Sequence, residues 1–283
     1  MNKRFPQDAQ HAVAAVTDAL GLESPQVTAL PAGIANRALR LRDARHDLVL
    51  RISGRASAAL GASRDSECAM QALAAGADLA PAVVLAWPEQ GLLVTQFVRG
   101  RPLSRAEMRN PGVTTRVGAW IARLHALPPP QLPSVDFGAR AAACLAAAQV
   151  RSPSAESAEL ARRLAARRAM LAPARPVACH HDLHHRNFID DAGRLRVVDW
   201  EYAGPGDPAA DLAACIGYHD LGPAEIDALL AGYGTEDAPL RARLATLGWI
   251  FDCLWYGWIA TAAIEGLAPE PGRQERLAAR LLA

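Results

Sequence analysis

Near residue 98 the chain changes character, and that change limits the folds open to it more than any other feature. Before it, QVTAL, RALRLR and DLVLRIS read as three strands separated by the turn-like PAGIAN and DARH, and AVVLAW and LLVTQFV supply two more around PEQG. A short amphipathic helix over 7–20 precedes these strands, and an alanine-rich stretch over about 56–76, ending at Gly76, reads as a second helix. After the change, VTTRVGAWIARLHAL has helical periodicity, PPPQLPS is a proline-rich connector, and two alanine-rich helices fill roughly 137–171. Only VACH, NFID and LRVVDW interrupt the helices, as short strands with polar loops between them. Strands first and helices after is the pattern of an α+β fold. It implies a small, mainly antiparallel sheet region over 1–98 and a larger, mainly helical region over 99–283.

Half of the chain, 51% of 283 residues, is hydrophobic, and 30 basic against 29 acidic side chains leave a net charge of +1. No field of that size holds nucleic acid or an anionic membrane surface by charge alone, so neither is an expected partner. The five cysteines, Cys68, Cys144, Cys179, Cys215 and Cys253, are widely spread with no C-x-x-C pair. That argues against a disulfide framework or a zinc knuckle and for a reducing, cytoplasmic setting. The amino terminus has charge but no apolar stretch of signal-peptide length, so export is not expected. The most apolar segment, LGWIFDCLWYGWIATAAI over 247–264, carries Asp252 near its centre. In a bilayer that carboxylate would cost roughly 3 kcal/mol, so a buried helix is the expectation.

The chemistry concentrates in CHHDLHHRNFIDDAGRLRVVDWEYAG, residues 179–204. One reading makes His180, His181, His184 and His185 a metal site, since a helix could bring them onto one side. Against it, no H-E-x-x-H pattern is present and no histidine pair elsewhere completes a closed site. The other reading takes Asp182, Asn187 and Asp199 as the working set. Phosphoryl transfer needs a carboxylate to accept the proton of an attacking hydroxyl and hard oxygen ligands to hold Mg²⁺ on nucleotide phosphates. Asp182 and Asn187 share one tight loop and Asp199 ends the next strand, LRVVD, so a hairpin can bring all three to one edge. Turn and helix capping would explain any one of these residues but explains the set poorly.

HHDLHHRN followed by VVDWE resembles the H-x-D-L-x-x-x-N and D-[FW]-E pattern of the aminoglycoside phosphotransferase and choline kinase superfamily, whose fold is similar to that of protein kinases. EYAGPGDPAADLA resembles the segment that follows in choline kinases and bacterial thiamine kinases. The resemblance implies a two-lobed kinase-like fold, ATP as phosphoryl donor and Mg²⁺ as cofactor. It makes Asp182 the catalytic base, Asn187 a Mg²⁺ ligand and Asp199 the main Mg²⁺ ligand, with Glu201 at a second Mg²⁺ or the substrate. It makes His180 structural and Asp211 a hydrogen-bonding brace of the loop.

Such a site needs a phosphate-covering hairpin, a cation on a strand and an acid on a helix to orient it. LPAGIANRALRLR resembles the family's nucleotide loop, with Gly33 permitting close backbone approach and Asn36 at a position the family uses. Ala32 and Ala35 stand where the family commonly has a second glycine and a hydroxyl residue. Arg51 matches the phosphate-binding cation and Glu67 its partner, while Gln96, Phe97 and Val98 resemble the hinge whose backbone binds adenine.

For the acceptor, WIFDCLWYGW puts Trp249, Asp252 and Tyr256 on one helical face and Phe251, Trp255 and Trp258 on another. These aromatics are either core or a cation site, since ring faces attract quaternary ammonium groups by about 0.5–2 kcal/mol each. Trp200, Glu201 and Tyr202 could close the same pocket. The expected partner is therefore a small-molecule alcohol: a cationic metabolite of choline or thiamine type, an aminoglycoside or other sugar hydroxyl as the alternative. A nucleotide-binding regulator that has lost transfer is the alternative outside enzymes.

Overall fold

The structure, a computed structural model, describes residues 9–30, 36–53, 63–235, 237–264 and 272–283. Gly33, with the rest of the expected nucleotide loop over 31–35, lies outside the described residues. The chain divides into two compact units, Met1–Leu103 with Arg186–Ala203, and Ser104–His185 with Gly204–Ala283.

The first unit opens with helix α1 (Ala9–Leu20) and an antiparallel sheet of β1 (Gln26–Leu30), β2 (Asn36–Arg42), β3 (Asp47–Ser53), β4 (Val83–Trp87) and β5 (Leu92–Gln96). The strand order is β1-β2-β3-β5-β4, with helix α2 (Arg64–Gly76) between β3 and β4. Period-two alternation in β3 buries Leu48, Leu50 and Ile52 with Leu41, Leu92 and Val94 against Ala12 and Val16 of α1. Each such aliphatic side chain contributes about 2 kcal/mol of burial. The same pleat turns Arg51 to the opposite face. Helix α2 begins where the Ser63 hydroxyl accepts the Ser66 N–H, which sets Glu67 in the first turn.

A smaller sheet in this unit pairs Arg101–Pro102 with Phe188–Asp191 and that strand with Arg194–Val197. Ala192 and Gly193, at φ of 50° and 91°, make the two-residue turn of the last pair. Positive φ at both positions matches the right-handed twist of the strands. The Val198 N–H then bonds to the Asn187 carbonyl at 3.0 Å, so Asn187 and Asp199 stand at the same end of the hairpin.

The second unit is helical: α3 (Pro111–His125), α4 (Phe137–Arg151), α5 (Ala155–Met170), α6 (Pro208–His219), α7 (Pro223–Tyr233), α8 (Ala238–Ile264) and α9 (Arg273–Leu282). Helices α3 and α7 cross at glycines: a Cβ on Gly118 would run into the Leu229 carbonyl, and one on Gly232 into the Thr115 carbonyl. A short strand over Val177–Cys179 pairs with Gly204–Gly206, a strand the glycine-proline composition did not announce. Helix α8 buries Leu247, Ile250, Phe251 and Ile259, as expected of a core helix. Among the described residues no helix is long and apolar enough to cross a membrane. The antiparallel amino-terminal sheet and the mainly helical remainder are the α+β pattern read from the sequence.

Candidate active site

In the first unit, three carboxylates converge on one arginine. Arg51 Nη1 bonds to Glu67 of α2, and Nη2 lies 2.6 Å from Asp199 and 3.4 Å from Glu201. Asn36 donates to Glu201 at 2.9 Å, and Tyr202, half-buried, interacts electrostatically with Arg51. Burial opposes the charge on Arg51, but the fields of Asp199, Glu67 and Glu201 outweigh it and hold its proton more tightly than in water. Asp199 sits at a φ of 68°, a left-handed conformation that aspartate tolerates better than most side chains. Its Oδ1 and Arg51 Nη2 are both buried and meet as charges without hydrogen-bond alignment.

That buried oxygen, with the carboxylate of Glu201 and the amide of Asn187 at the hairpin end, is a set of hard oxygen donors of the kind that suits Mg²⁺. Trp200 is fully buried and donates its indole N–H to the Val197 carbonyl at 2.9 Å, anchoring the turn between the two acids. It is a core side chain and not an open wall. At the expected hinge, the Gln96 and Phe97 N–H groups bond to the Ala82 and Asp47 carbonyls at 2.9 and 2.8 Å. Val98 lies just beyond the end of β5 at Gln96. The Phe97 ring lies under Arg40, 3.7 Å from its guanidinium carbon.

In the second unit, helix α6 holds the loop that follows Val177–Cys179. Fully buried Asp211 accepts the His180 and His181 N–H groups at 2.8 and 2.6 Å and meets His125 Nε2 at 3.2 Å. Burial pushes its carboxyl up, but the His125 contact, the charges of His181 and His125 and the backbone donors reverse this and hold it at about 2. Two turns along the same face, the Tyr218 hydroxyl donates to Asp182 Oδ1 at 2.6 Å. His219 completes the grip: Nε2 accepts the His185 N–H at 2.9 Å while Nδ1 meets the Cys215 carbonyl at 2.6 Å. Only a neutral imidazole protonated on Nδ1 makes both bonds, and burial accordingly lowers this histidine to about 3.

The histidines of this stretch make contacts around the loop itself. The Asp182 N–H bonds to His180 Nδ1 at 3.2 Å, and His184 Nε2 stands 3.7 Å from Asp182 Oδ2. His181, lowered to about 4 by burial, is stacked on Phe137. Among the described residues the one group that could offer a metal three such ligands is His125, Cys179 and Asp211, whose donor atoms lie within 4.8 Å of one another. Both Asp211 oxygens already accept backbone N–H groups there, and burial, then the charges of Asp211 and Asp207, raise the Cys179 thiol so that it keeps its proton. The cluster is a brace.

The two faces of α8 separate. Phe251 and Trp255 meet the Tyr218 ring edge-on at centroid distances of 4.7 and 5.0 Å, and Trp258 stacks on Trp255 at 4.8 Å. Trp255 thus belongs to the aromatic wall beside Asp182. The other face is engaged elsewhere. Asp252 forms a two-point pair with Arg280 of α9 at 2.7 and 2.8 Å, Trp249 lies 4.2 Å from the Arg167 guanidinium carbon, and Tyr256 reaches Glu156 at 3.4 Å. Tyr218, His125 and His219 were not singled out in the sequence. The signal for Tyr218 was its seven-residue spacing from Asp211 on one helix.

Residues 26–247 match the phosphotransferase enzyme family, and the chain belongs to that family. A thiamine kinase of Shigella boydii is 48% identical over 42 residues, a stretch that covers 15% of this chain and 15% of that protein. Among solved structures, a choline/ethanolamine kinase family protein from Mesorhizobium loti is 25% identical with a TM-score of 0.75, over 96% of this chain and 93% of that one. The choline kinase LicA from Streptococcus pneumoniae shares the fold, with 19% identity and a TM-score of 0.77 over 96% and 98% of the two chains.

Proposed function

We propose that this phosphotransferase moves the γ-phosphoryl group of ATP to the hydroxyl of a small cationic metabolite of choline or thiamine type. The observation that carries the phosphate half of the proposal is the convergence of Glu67, Asp199 and Glu201 on Arg51. A buried guanidinium oriented by a helix carboxylate is the group that positions transferring phosphates, and the acids beside it are ligands for Mg²⁺. Mg²⁺ bound to Asp199, Asn187 and Glu201 would neutralise charge on the phosphates. Asp182 accepts the proton of the attacking alcohol, Arg51 orients the phosphates, and the backbone at Val98 takes the adenine.

For the acceptor, the support is the aromatic wall of Tyr218, Phe251, Trp255 and Trp258 in the unit that carries Asp182. Nearby acids are already paired, Asp252 with Arg280 and Asp220 with Arg105 and Arg273. An aminoglycoside with several ammonium groups would need open carboxylates, whereas one quaternary or aromatic cation needs ring faces. The test is ADP release from Mg²⁺–ATP with choline, ethanolamine, thiamine or an aminoglycoside, with Asp182→Asn as control. Stimulation by choline or thiamine that the substitution abolishes supports the proposal. Stimulation by the aminoglycoside alone replaces the acceptor class, and nucleotide binding with no stimulation by any alcohol points to a regulator.

A further inference from the structure

The face of α6 that carries Asp211 also reaches the carboxylate of the proposed base. We infer that Tyr218 is a positioning residue that fixes the rotamer of Asp182 and joins it rigidly to the aromatic wall; this rests on the kinase reading above. The phenol donates to Oδ1 at 2.6 Å, the short geometry of a charge-assisted bond, while Oδ2 lies 3.7 Å from His184 Nε2, beyond hydrogen-bond range.

The donor is itself held in place. The Tyr218 ring meets Phe251, Trp255 and His184 edge-on at interplanar angles of 75°, 82° and 85°, so contacts from α8 and from the loop fix its orientation. Asp211, seven residues earlier on the same helix, fixes the main chain just before Asp182 through the His180 and His181 N–H groups. Main chain and carboxylate of the base are therefore positioned by one rigid element. A ring displaced at the wall moves the hydroxyl that orients the base, which ties the fit of the acceptor to the rate of transfer.

Two measurements on the full chain test this. The protein has four tyrosines, so a spectrum with ¹³C at tyrosine Cζ carries four lines, and Tyr218→Phe identifies one of them. In Asp182→Asn that line should shift while the other three stay. With whichever alcohol stimulates ADP release, Tyr218→Phe should lower kcat about tenfold and leave the acceptor KM within about twofold, the pattern of an interaction that acts in the transition state. A Tyr218 line unmoved by Asp182→Asn overturns the inference, and so does a raised KM with kcat unchanged, which would make Tyr218 only a wall. The spectrum needs no acceptor. Failure of the kinase reading, seen as ADP release that no alcohol stimulates, is thereby told apart from failure of this inference.

Discussion

The carboxylates of the two units are stabilised in opposite ways. In the first unit Glu67, Asp199 and Glu201 surround a single cation, Arg51. In the second, Asp211 and Asp182 are held by a ring of hydrogen-bond donors: two backbone N–H groups, an imidazole and a phenol. A cluster with three anions and one cation has charge to spare and can take up a further cation. A carboxylate enclosed by fixed donors gains nothing from one. The first arrangement suits ions and phosphates that come and go, and the second suits a frame that must not move.

Four experiments press on that contrast, beginning with the largest expected effect. Asp182→Asn should reduce acceptor-stimulated ADP release about 10³-fold, the scale of a lost general base, with the thermal midpoint nearly unchanged. Arg51→Met should leave three carboxylates without their cation and destabilise the chain by about 3–5 kcal/mol in denaturant titrations without divalent ions. Millimolar Mg²⁺ should restore part of that loss; if it does not, the acids are not an ion site. Asp211→Ala should cost about 3 kcal/mol through two unpaired buried N–H groups, and Mg²⁺ should restore none of it.

The smallest effect is in the pH dependence. His219 and His181 are lowered to about 3 and about 4, so below an unfolded value near 6.5 the unfolded chain binds protons that the folded one refuses. Stability therefore falls as pH drops from about 6.5 toward 4, by roughly 1.6 kcal/mol per histidine between pH 6.5 and 5. His219→Gln should flatten that slope by close to one histidine's share in urea midpoints measured across the range.

The sequence was most informative where one residue type has one physical use. DLVLRIS was legible as a strand, and in the structure its alternation buries Leu48, Leu50 and Ile52 and leaves Arg51 on the other face. Asp182, Asn187 and Asp199 were expected at one edge of a hairpin; the Val198 to Asn187 bond puts Asn187 and Asp199 at one end of it, while Asp182 belongs to the second unit. Long-range pairing was not legible. Asp252 reads as an open carboxylate on an aromatic helix until Arg280, 28 residues later on α9, closes on it. The aromatic face that meets Tyr218 is the Phe251–Trp255–Trp258 one, a choice that depends on how α8 packs and not on its composition. The strand Gly204–Gly206 has no intrinsic strand preference and exists because Val177–Cys179 offers it a partner.

The grip of α6 on the loop has a consequence for variation. Asp211 and His219 hold the amide groups of residues 180, 181 and 185, which every amino acid except proline supplies. The side chains at 181 and 185 can therefore drift without loosening the frame, subject to the space around them. Gly206, whose missing Cβ leaves room for the His181 ring, defines that space at one of the two positions. In a set of related chains, residues 181 and 185 should differ freely while 211 keeps its carboxylate, and a proline at 180, 181 or 185 should be selected against.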